Sequence, residues 1–160
     1  MKKVDFKILL EENQQLIAKI CRAYSNSPEE FEDYFQEVSL QIWKSYDSFK
    51  GASQLSTWIY RVTLNVCLTE LRKSKKRINT YAIQAEHDLS DTTTDYKNDE
   101  VEQLYAAIRT LKKIDRAIIL LFLEDRKYKE MADILGISIT NIGVKISRIK
   151  KELKQKLNGK

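Results

Sequence analysis

The sequence predicts an all-α protein of two small helical domains joined by a flexible linker. Its 160 residues include one proline and four glycines, too few for a turn-rich β architecture. Apolar residues recur at helical spacing through residues 5–77 and again through 99–157, and a polar, threonine-rich stretch without that period separates them. We therefore expect domains at residues 1–78 and 99–160, with a linker at 79–98.

Three helices are predicted in the first domain. The first should run to about Tyr24. The second is indicated by Ser27-Pro28-Glu29-Glu30, in which a serine offers an N-cap, a proline suits the first helical position and a glutamate follows three residues after the cap. This helix should end near Tyr46, and Gly51 is the natural turn point of the loop that follows. The third helix should run from about Gln54 to Lys76.

The third helix has two distinct faces. One is an ordinary apolar stripe of Leu55, Ile59, Val62 and Val66. The other places an aromatic ring among cationic and hydrogen-bonding groups, namely Trp58, Arg61, Asn65, Leu68 and Arg72. The helix ends in RKSKKR, which has five cations in six residues. A solvated tail has this composition, and so has a segment that follows a phosphate backbone.

The second domain centres on the very apolar segment RAIILLFLEDR. A helix this apolar in a small domain must be covered on several sides, and Ile114-Asp115 ahead of it is the expected cap. The segment KYKEMADILGISITNIGVKISRIKK then predicts a helix-turn-helix. Its first helix is Tyr128–Leu135, with Met131, Ala132 and Leu135 inward. Gly136 supplies the left-handed conformation that ends this helix. Ser138 caps the second helix, which turns Ile142, Ile146 and Ile149 inward.

The outer face of that second helix is polar and basic. Six cations and one acid lie between Lys145 and Lys156. Thr140 and Asn141 are near the helix start, where a recognition helix reaches base edges, and Lys145, Arg148 and Lys150 follow, where phosphates are held. A plain helical hairpin within some other domain is the alternative. Gly143 costs about 1 kcal/mol relative to alanine, and the sequence leaves open whether it permits close approach to DNA or is simply tolerated.

Net charge, the two cysteines and the single histidine limit which partners, compartment and kinds of site the sequence favours. A net charge of +5 and a pI near 9.1 favour a polyanionic partner. Cys21 and Cys67 are expected to be buried thiols in a reducing cytoplasm. His87 has no cysteine, histidine or carboxylate set around it that would indicate a metal or catalytic site. No signal peptide or membrane span is indicated, so we expect a cytoplasmic protein without cofactor, metal or small-molecule substrate.

Two motifs together resemble a known family. The first is a run of Asp33, Gln36, Glu37, Val38 and Trp43. It is followed by Phe49, Gly51, Ser53, Thr57, Trp58, Arg61, Val62, Asn65 and Arg72. With the helix-turn-helix, this combination resembles the extracytoplasmic-function (ECF) sigma factors of bacterial RNA polymerase. These keep only the second and fourth conserved domains of their larger relatives. Gly143 stands where many members of the family have lysine.

The resemblance implies a role for each segment. Core RNA polymerase would be bound through Asp33, Gln36 and Glu37. The melted minus-10 promoter element would be contacted by Lys50, Ser53, Trp58, Arg61, Asn65, Arg72, Lys73, Lys75 and Lys76. The minus-35 element would be read as duplex by Ser138, Thr140, Asn141, Lys145, Arg148 and Lys150. For Trp58, stacking on a base and anchoring the loop remain equally open. The partners implied are core RNA polymerase, promoter DNA and an anti-sigma factor.

Three other classes compete with this interpretation. A two-domain regulator that binds duplex DNA without polymerase would need a ligand pocket or phosphorylation site in the first domain. An enzyme has no support, because the sequence has no P-loop, nucleophile elbow or metal-spaced Cys/His set. An interaction module such as an anti-activator does not account for the basic recognition helix.

Overall fold

A computed structural model of the chain describes residues 3–81 and 99–158, with side chains at 5–73 and 100–158. The chain divides into two compact units, residues 1–95 and 96–160. Every regular element in the described ranges is helical, which confirms the all-α prediction. Residues 82–98 of the predicted linker lie outside the described residues, and its first three residues, 79–81, belong to a helix. Within the described ranges, no helix combines the length and apolar character needed to cross a bilayer.

The first unit is a three-helix bundle. Its helices are α1 (Lys3–Tyr24), α2 (Pro28–Ser45) and α3 (Leu55–Tyr81), and a 3₁₀ turn at Tyr46–Ser48 begins the loop between α2 and α3. Each helix packs against the other two. The largest fully buried side chains of the bundle come from all three helices: Ile17, Ile20, Tyr24, Ile42, Ile59 and Tyr60.

The start of α2 follows the predicted cap with one difference. The Ser27 Oγ accepts a hydrogen bond from the Glu30 amide at 3.1 Å, as an N-cap should. The Glu30 carboxylate returns to the Asn26 amide at 3.1 Å, one residue earlier than a capping box requires. Its other oxygen accepts a 3.0 Å hydrogen bond from the Tyr34 hydroxyl. Burial, and then the charge of Glu30, raise the pKa of Tyr34 well above its usual value.

Helix α3 departs from the prediction in its length and in its buried face. It continues to Tyr81 because no glycine or proline interrupts residues 55–81. Val62, predicted to be buried, is only half-buried. Leu55 is half-buried as well, whereas Ile59 and Val66 are buried as predicted. The buried face also includes Tyr60, Thr63, Leu64, Cys67 and Leu71. The buried Thr63 hydroxyl is satisfied by donating to the Ile59 carbonyl at 2.7 Å.

The two cysteines meet inside this bundle. Both are fully buried and free, as the sequence predicts. The Cys67 thiol donates to the Cys21 sulfur across 3.9 Å. This hydrogen bond and burial raise the pKa of Cys67 well above its usual value. The Cys67 thiol therefore stays protonated at neutral pH, and the two cysteines pack as small apolar groups.

The described residues of the second unit, 99–158, form four helices. They are α4 (Asp99–Arg109), α5 (Lys113–Leu123), α6 (Tyr128–Leu135) and α7 (Ile139–Asn158). Five consecutive residues of α5, Ala117 to Leu121, are buried, which confirms it as the covered central helix. Helix α7 packs against α4, α5 and α6. The helix that carries the predicted DNA-facing side chains is therefore also the main packing partner of the unit.

The predicted cap of α5 is wrong. Lys112 occupies the N-cap position without a side-chain hydrogen bond, and Asp115 lies inside the first turn. The turn before α5 is stabilised by a side chain of α5 itself. Arg116 donates to the carbonyl of Leu111 at 3.0 Å and to that of Arg109 at 2.6 Å. The Asp115 carboxylate instead pairs with Lys145 of α7.

Candidate nucleic-acid interface

Helices α6 and α7 form the predicted helix-turn-helix. Gly136 ends α6 in the left-handed conformation, with φ at +70°, and its amide donates to the Ala132 carbonyl at 2.8 Å. The Ser138 Oγ then accepts from the Asn141 amide at 3.1 Å, which caps α7. Met131 and Ala132 are buried against α7. The tight turn thus fixes how α7 leaves α6.

Helix α7 has a buried face and an opposite exposed face. The buried face consists of Ile142, Ile146, Ile149 and Leu153. The exposed face carries Thr140, Val144, Arg148 and Lys151, spaced by three or four residues, with Asn141 beside them. We call these five residues the outer face of α7. It combines hydrogen-bonding and cationic groups with one apolar residue, and the described contacts show no intramolecular partner for the side chains of Arg148 and Lys151.

Two of the predicted DNA-binding lysines are held by the protein itself. The Lys145 ammonium lies 3.7 Å from Oδ1 of Asp115, an atom that is buried and accepts no hydrogen bond. This cation therefore compensates a buried charge. The Lys150 ammonium lies 4.2 Å from the centre of the Phe122 ring. Lys151 is not among the predicted contact residues, but it is exposed eleven residues after Thr140, which is about three helical turns.

Gly143 lies beside the ring of Tyr128. A Cβ built at this position would meet Cε2 of Tyr128 at 3.7 Å, an ordinary van der Waals distance. Tyr128 is the first residue of α6, so its ring lies across the early part of α7. A Cβ at position 143 would therefore fit beside this ring, and packing does not require glycine here.

In the first unit, Trp58 anchors the loop that precedes α3. Its ring centre lies 5.1 Å from that of Phe49 and 6.3 Å from that of Tyr46. Trp58 is half-buried, although its helical position faces away from the bundle core. Gly51, with φ at +74°, turns the chain within this loop as predicted. Lys50 is exposed and Ser53 half-buried on the same loop.

The other predicted minus-10 residues follow along α3. Asn65 and Arg72 are exposed and Arg61 is half-buried with an intramolecular interaction of its own. Lys73 pairs with Glu70 at 3.4 Å, and both side chains retain solvent access, so the pair contributes little to stability. The side chains of Lys75 and Lys76 lie outside the described ones. Asn65 and Lys73 also line a shallow groove between α3 and α2, together with Glu37.

Helix α2 turns a separate polar face to solvent. Asp33, Gln36 and Glu37 are all exposed on this face, opposite the buried Tyr34, Val38 and Ile42. Two large apolar side chains, Leu40 and Trp43, are also exposed on the helix at 44% and 43%. The Trp43 ring meets that of Phe6 of α1 edge-on, with centres 4.9 Å apart.

Comparison with known families accounts for both units. Residues 9–77 match Sigma-70 region 2, and residues 101–153 match Sigma-70, region 4. The chain is 24% identical over 165 residues to the ECF RNA polymerase sigma-E factor of Haemophilus influenzae, covering 95% of this chain and 87% of the relative. The chain belongs to the ECF sigma factors.

Some relatives of this ECF sigma factor are matched over only a small part of their own length. The ECF RNA polymerase sigma factor SigG of Mycobacterium tuberculosis is 36% identical over 73 residues, which is 46% of this chain but only 20% of the relative. Among solved structures, the sigma factor RpoE, crystallised with the anti-sigma factor NepR from Bartonella quintana, has the same fold. It has a TM-score of 0.80 and 22% identity, covering 96% of this chain and 97% of that one.

Proposed function

We propose that this ECF sigma factor is a promoter-specificity subunit of bacterial RNA polymerase, which acts by binding while the polymerase carries out the chemistry. One observation carries the proposal. A single chain joins a Sigma-70 region 2 unit to a region 4 unit whose helix-turn-helix exposes a polar and basic outer face. Two weak DNA sites on one polymerase reinforce each other through their high effective concentration.

The outer face of α7 is proposed to read the minus-35 element as duplex. Thr140 and Asn141 lie in the first turn after the cap, where the start of a recognition helix approaches base edges. Arg148 and Lys151, two to three turns later, would hold phosphates. Lys145 and Lys150 then support the helix through Asp115 and Phe122, and Ser138 acts first as its cap.

The loop and α3 are proposed to bind the minus-10 element as a single strand. Extruding a base from the stack costs a few kcal/mol, which a pocket for the base and contacts to phosphates would offset. In this proposal Trp58 stabilises the loop through Phe49 and Tyr46, so that Lys50 and Ser53 can form a pocket for the extruded base. Arg61, Asn65, Arg72, Lys73, Lys75 and Lys76 would contact the strand.

The exposed face of α2 is proposed to bind core RNA polymerase through Asp33, Gln36 and Glu37. All three side chains are exposed and share one side of a helix whose other side is fixed in the bundle core. An anti-sigma factor is a further proposed partner. Its support is the solved RpoE structure of the same fold, which contains the anti-sigma factor NepR.

Reconstitution with purified core polymerase tests this function. The polymerase is incubated with genomic DNA fragments, with and without the full chain, and the bound fragments are sequenced and transcribed. We expect the chain to bind the polymerase, to enrich fragments that share two spaced elements, and to start transcription from them. A chain that does not bind the polymerase, or a complex that starts no transcripts, would contradict the proposal.

A further inference from the structure

Val144 is an apolar residue in the middle of the outer face of α7. It is 45% exposed, whereas Ile142 and Ile146 on either side of it in sequence are 0% and 2% exposed. Thr140 lies one turn before it and Arg148 one turn after it, both exposed. Val144 therefore points away from the core, into the surface that is proposed to meet duplex DNA.

Folding of the second unit gives no reason for valine at this position. A β-branched side chain is a weaker helix former than alanine or lysine, because its rotamers are restricted against the preceding turn. Burial gives no compensation, since the core face of α7 is already supplied by the isoleucines. A single exposed hydrophobe is common in proteins, but this one is surrounded by hydrogen-bonding and cationic groups and does not border the core.

The chemistry of the major groove offers an apolar partner. Of the four bases, thymine alone presents a methyl group there, whereas the other major-groove groups are hydrogen-bond donors and acceptors. Valine can neither donate nor accept a hydrogen bond, and its two methyl groups suit contact with that C5-methyl. We propose that Val144 reads a thymine in the duplex element bound by α7. This inference rests on the proposed function of the helix-turn-helix.

The position on the helix also limits where the thymine can be. Four residues of α-helix rise about 6 Å, which corresponds to roughly two base-pair steps of 3.4 Å. The thymine methyl should therefore lie within about two base pairs of the groups that Thr140 and Arg148 approach. It is an internal position of the element, flanked by polar contacts on both sides.

The test uses the full chain with core polymerase and a duplex containing the upstream element found by sequencing of bound DNA. Each thymine of the element is replaced in turn by deoxyuridine, which removes only the C5-methyl. We expect one internal position at which the wild-type complex loses about fourfold in affinity, the equivalent of one buried methyl group. Val144→Ala should bind the thymine duplex more weakly and lose nothing further on deoxyuridine substitution there.

Val101→Ala is the matched control. Val101 is also an exposed valine of the second unit, at 37%, but it lies on α4. This variant should retain the full deoxyuridine effect, and thermal melts should show all three proteins folded. Insensitivity of the wild type to deoxyuridine at every thymine, or an unchanged effect in Val144→Ala, would overturn this inference alone. If the wild type shows no sequence-selective duplex binding at all, the proposed function itself is contradicted.

Discussion

At the residue scale, two glycines of the second unit differ in backbone conformation. Gly136 has φ at +70°, a conformation that side chains other than glycine rarely adopt, and it ends α6. Gly143 lies in the regular helical backbone of α7, where a Cβ would make only an ordinary contact with Tyr128. The first glycine is required by the backbone, whereas neither the backbone nor the space for a Cβ requires the second.

Alanine substitution should separate these two cases. We expect Gly143→Ala to stabilise the second unit by up to about 1 kcal/mol, because alanine is the better helix former. Gly136→Ala should destabilise it by about 1 kcal/mol, because of the strained left-handed backbone. Urea unfolding followed by circular dichroism measures both. Equal effects of the two substitutions would contradict this assignment of roles.

Trp58 poses the same question of role in the first unit. If its function is to support the loop through Phe49 and Tyr46, Trp58→Phe should retain much of the ring packing and of promoter opening. Trp58→Ala should impair open-complex formation by the polymerase while duplex binding by α7 remains nearly intact. Permanganate reactivity of unpaired thymines measures opening, and a melting curve checks the fold. Unfolding of the first unit in Trp58→Ala would show that Trp58 supports the whole bundle and not the loop alone.

At the scale of single elements, the cations of α7 differ in whether the protein itself supplies a partner for them. Lys145, Lys150 and Lys156 have protein partners, the last donating to Glu152 at 2.8 Å. Arg148 and Lys151 lie on the exposed face. Charge density alone, which the sequence displays, does not distinguish the two groups. Their separation depends on where Asp115 and Phe122 of α5 come to lie.

This difference between the cations predicts a difference in how strongly salt weakens duplex binding by their variants. Replacing Arg148 and Lys151 by alanine should weaken binding to the upstream duplex and reduce the slope of log affinity against log salt by about 1.8, or about 0.9 per phosphate contact. Lys156→Ala, on the same helix, should leave the slope unchanged. Fluorescence anisotropy of labelled duplex in a salt series gives the slope. If the slope changes equally in the Arg148 and Lys151 variant and in Lys156→Ala, the position of a cation on α7 does not decide whether it contacts a phosphate.

Helix α2 provides a second test at this scale. Asp33→Ala, Gln36→Ala and Glu37→Ala combined should abolish binding to core polymerase with little change in melting temperature, because all three side chains are exposed. Glu12→Ala on α1, also an exposed acid, is the control for loss of surface charge. A pull-down with core polymerase measures the outcome. Retained binding in the triple variant would place the polymerase contact elsewhere.

The elements also show what could be predicted from sequence. The cap at Ser27, the turn at Gly136 and the inward isoleucines of α7 depend on local spacing, and all are confirmed. The buried face of α3 was predicted only in part, because Tyr60, Thr63 and Cys67 are not strongly apolar and only packing against α1 and α2 identifies them as core. The cap of α5 was missed because Asp115 bonds across to α7 instead of locally.

On the scale of the whole molecule, the two units carry different spectroscopic reporters. Both tryptophans, Trp43 and Trp58, belong to the first unit. Tryptophan fluorescence therefore follows unfolding of that unit alone, whereas far-ultraviolet circular dichroism follows helices of both. The stability of each unit can be compared within one intact chain.

This separation allows a pH prediction for the first unit. The folded unit raises the pKa of the Cys67 thiol and of the Tyr34 phenol, whereas the unfolded chain releases these protons near their ordinary pKa values of about 8.5 and 10. Both groups therefore stabilise the fold fully below those values, and the stabilisation is lost as pH rises. The urea concentration at the midpoint of the fluorescence transition should therefore decrease as the pH is raised from 8 to 10.

Cys67→Ala is the control for the thiol contribution. It should be less stable than the wild type at pH 7, because a buried group is lost. Its transition should change less than that of the wild type between pH 8 and pH 9.5. An unchanged pH dependence in Cys67→Ala would show that the thiol is not the group responsible.

The two faces of α7 also bear on how such proteins diverge. The residues that hold the helix to α4, α5 and α6 are interleaved along the chain with those that face outward, yet the two sets point in opposite directions. Substitutions at Thr140, Asn141, Val144 or Arg148 can therefore accumulate without loosening the unit. Under the proposed function, chains that differ only at these four positions would select different duplex sequences from an identical scaffold.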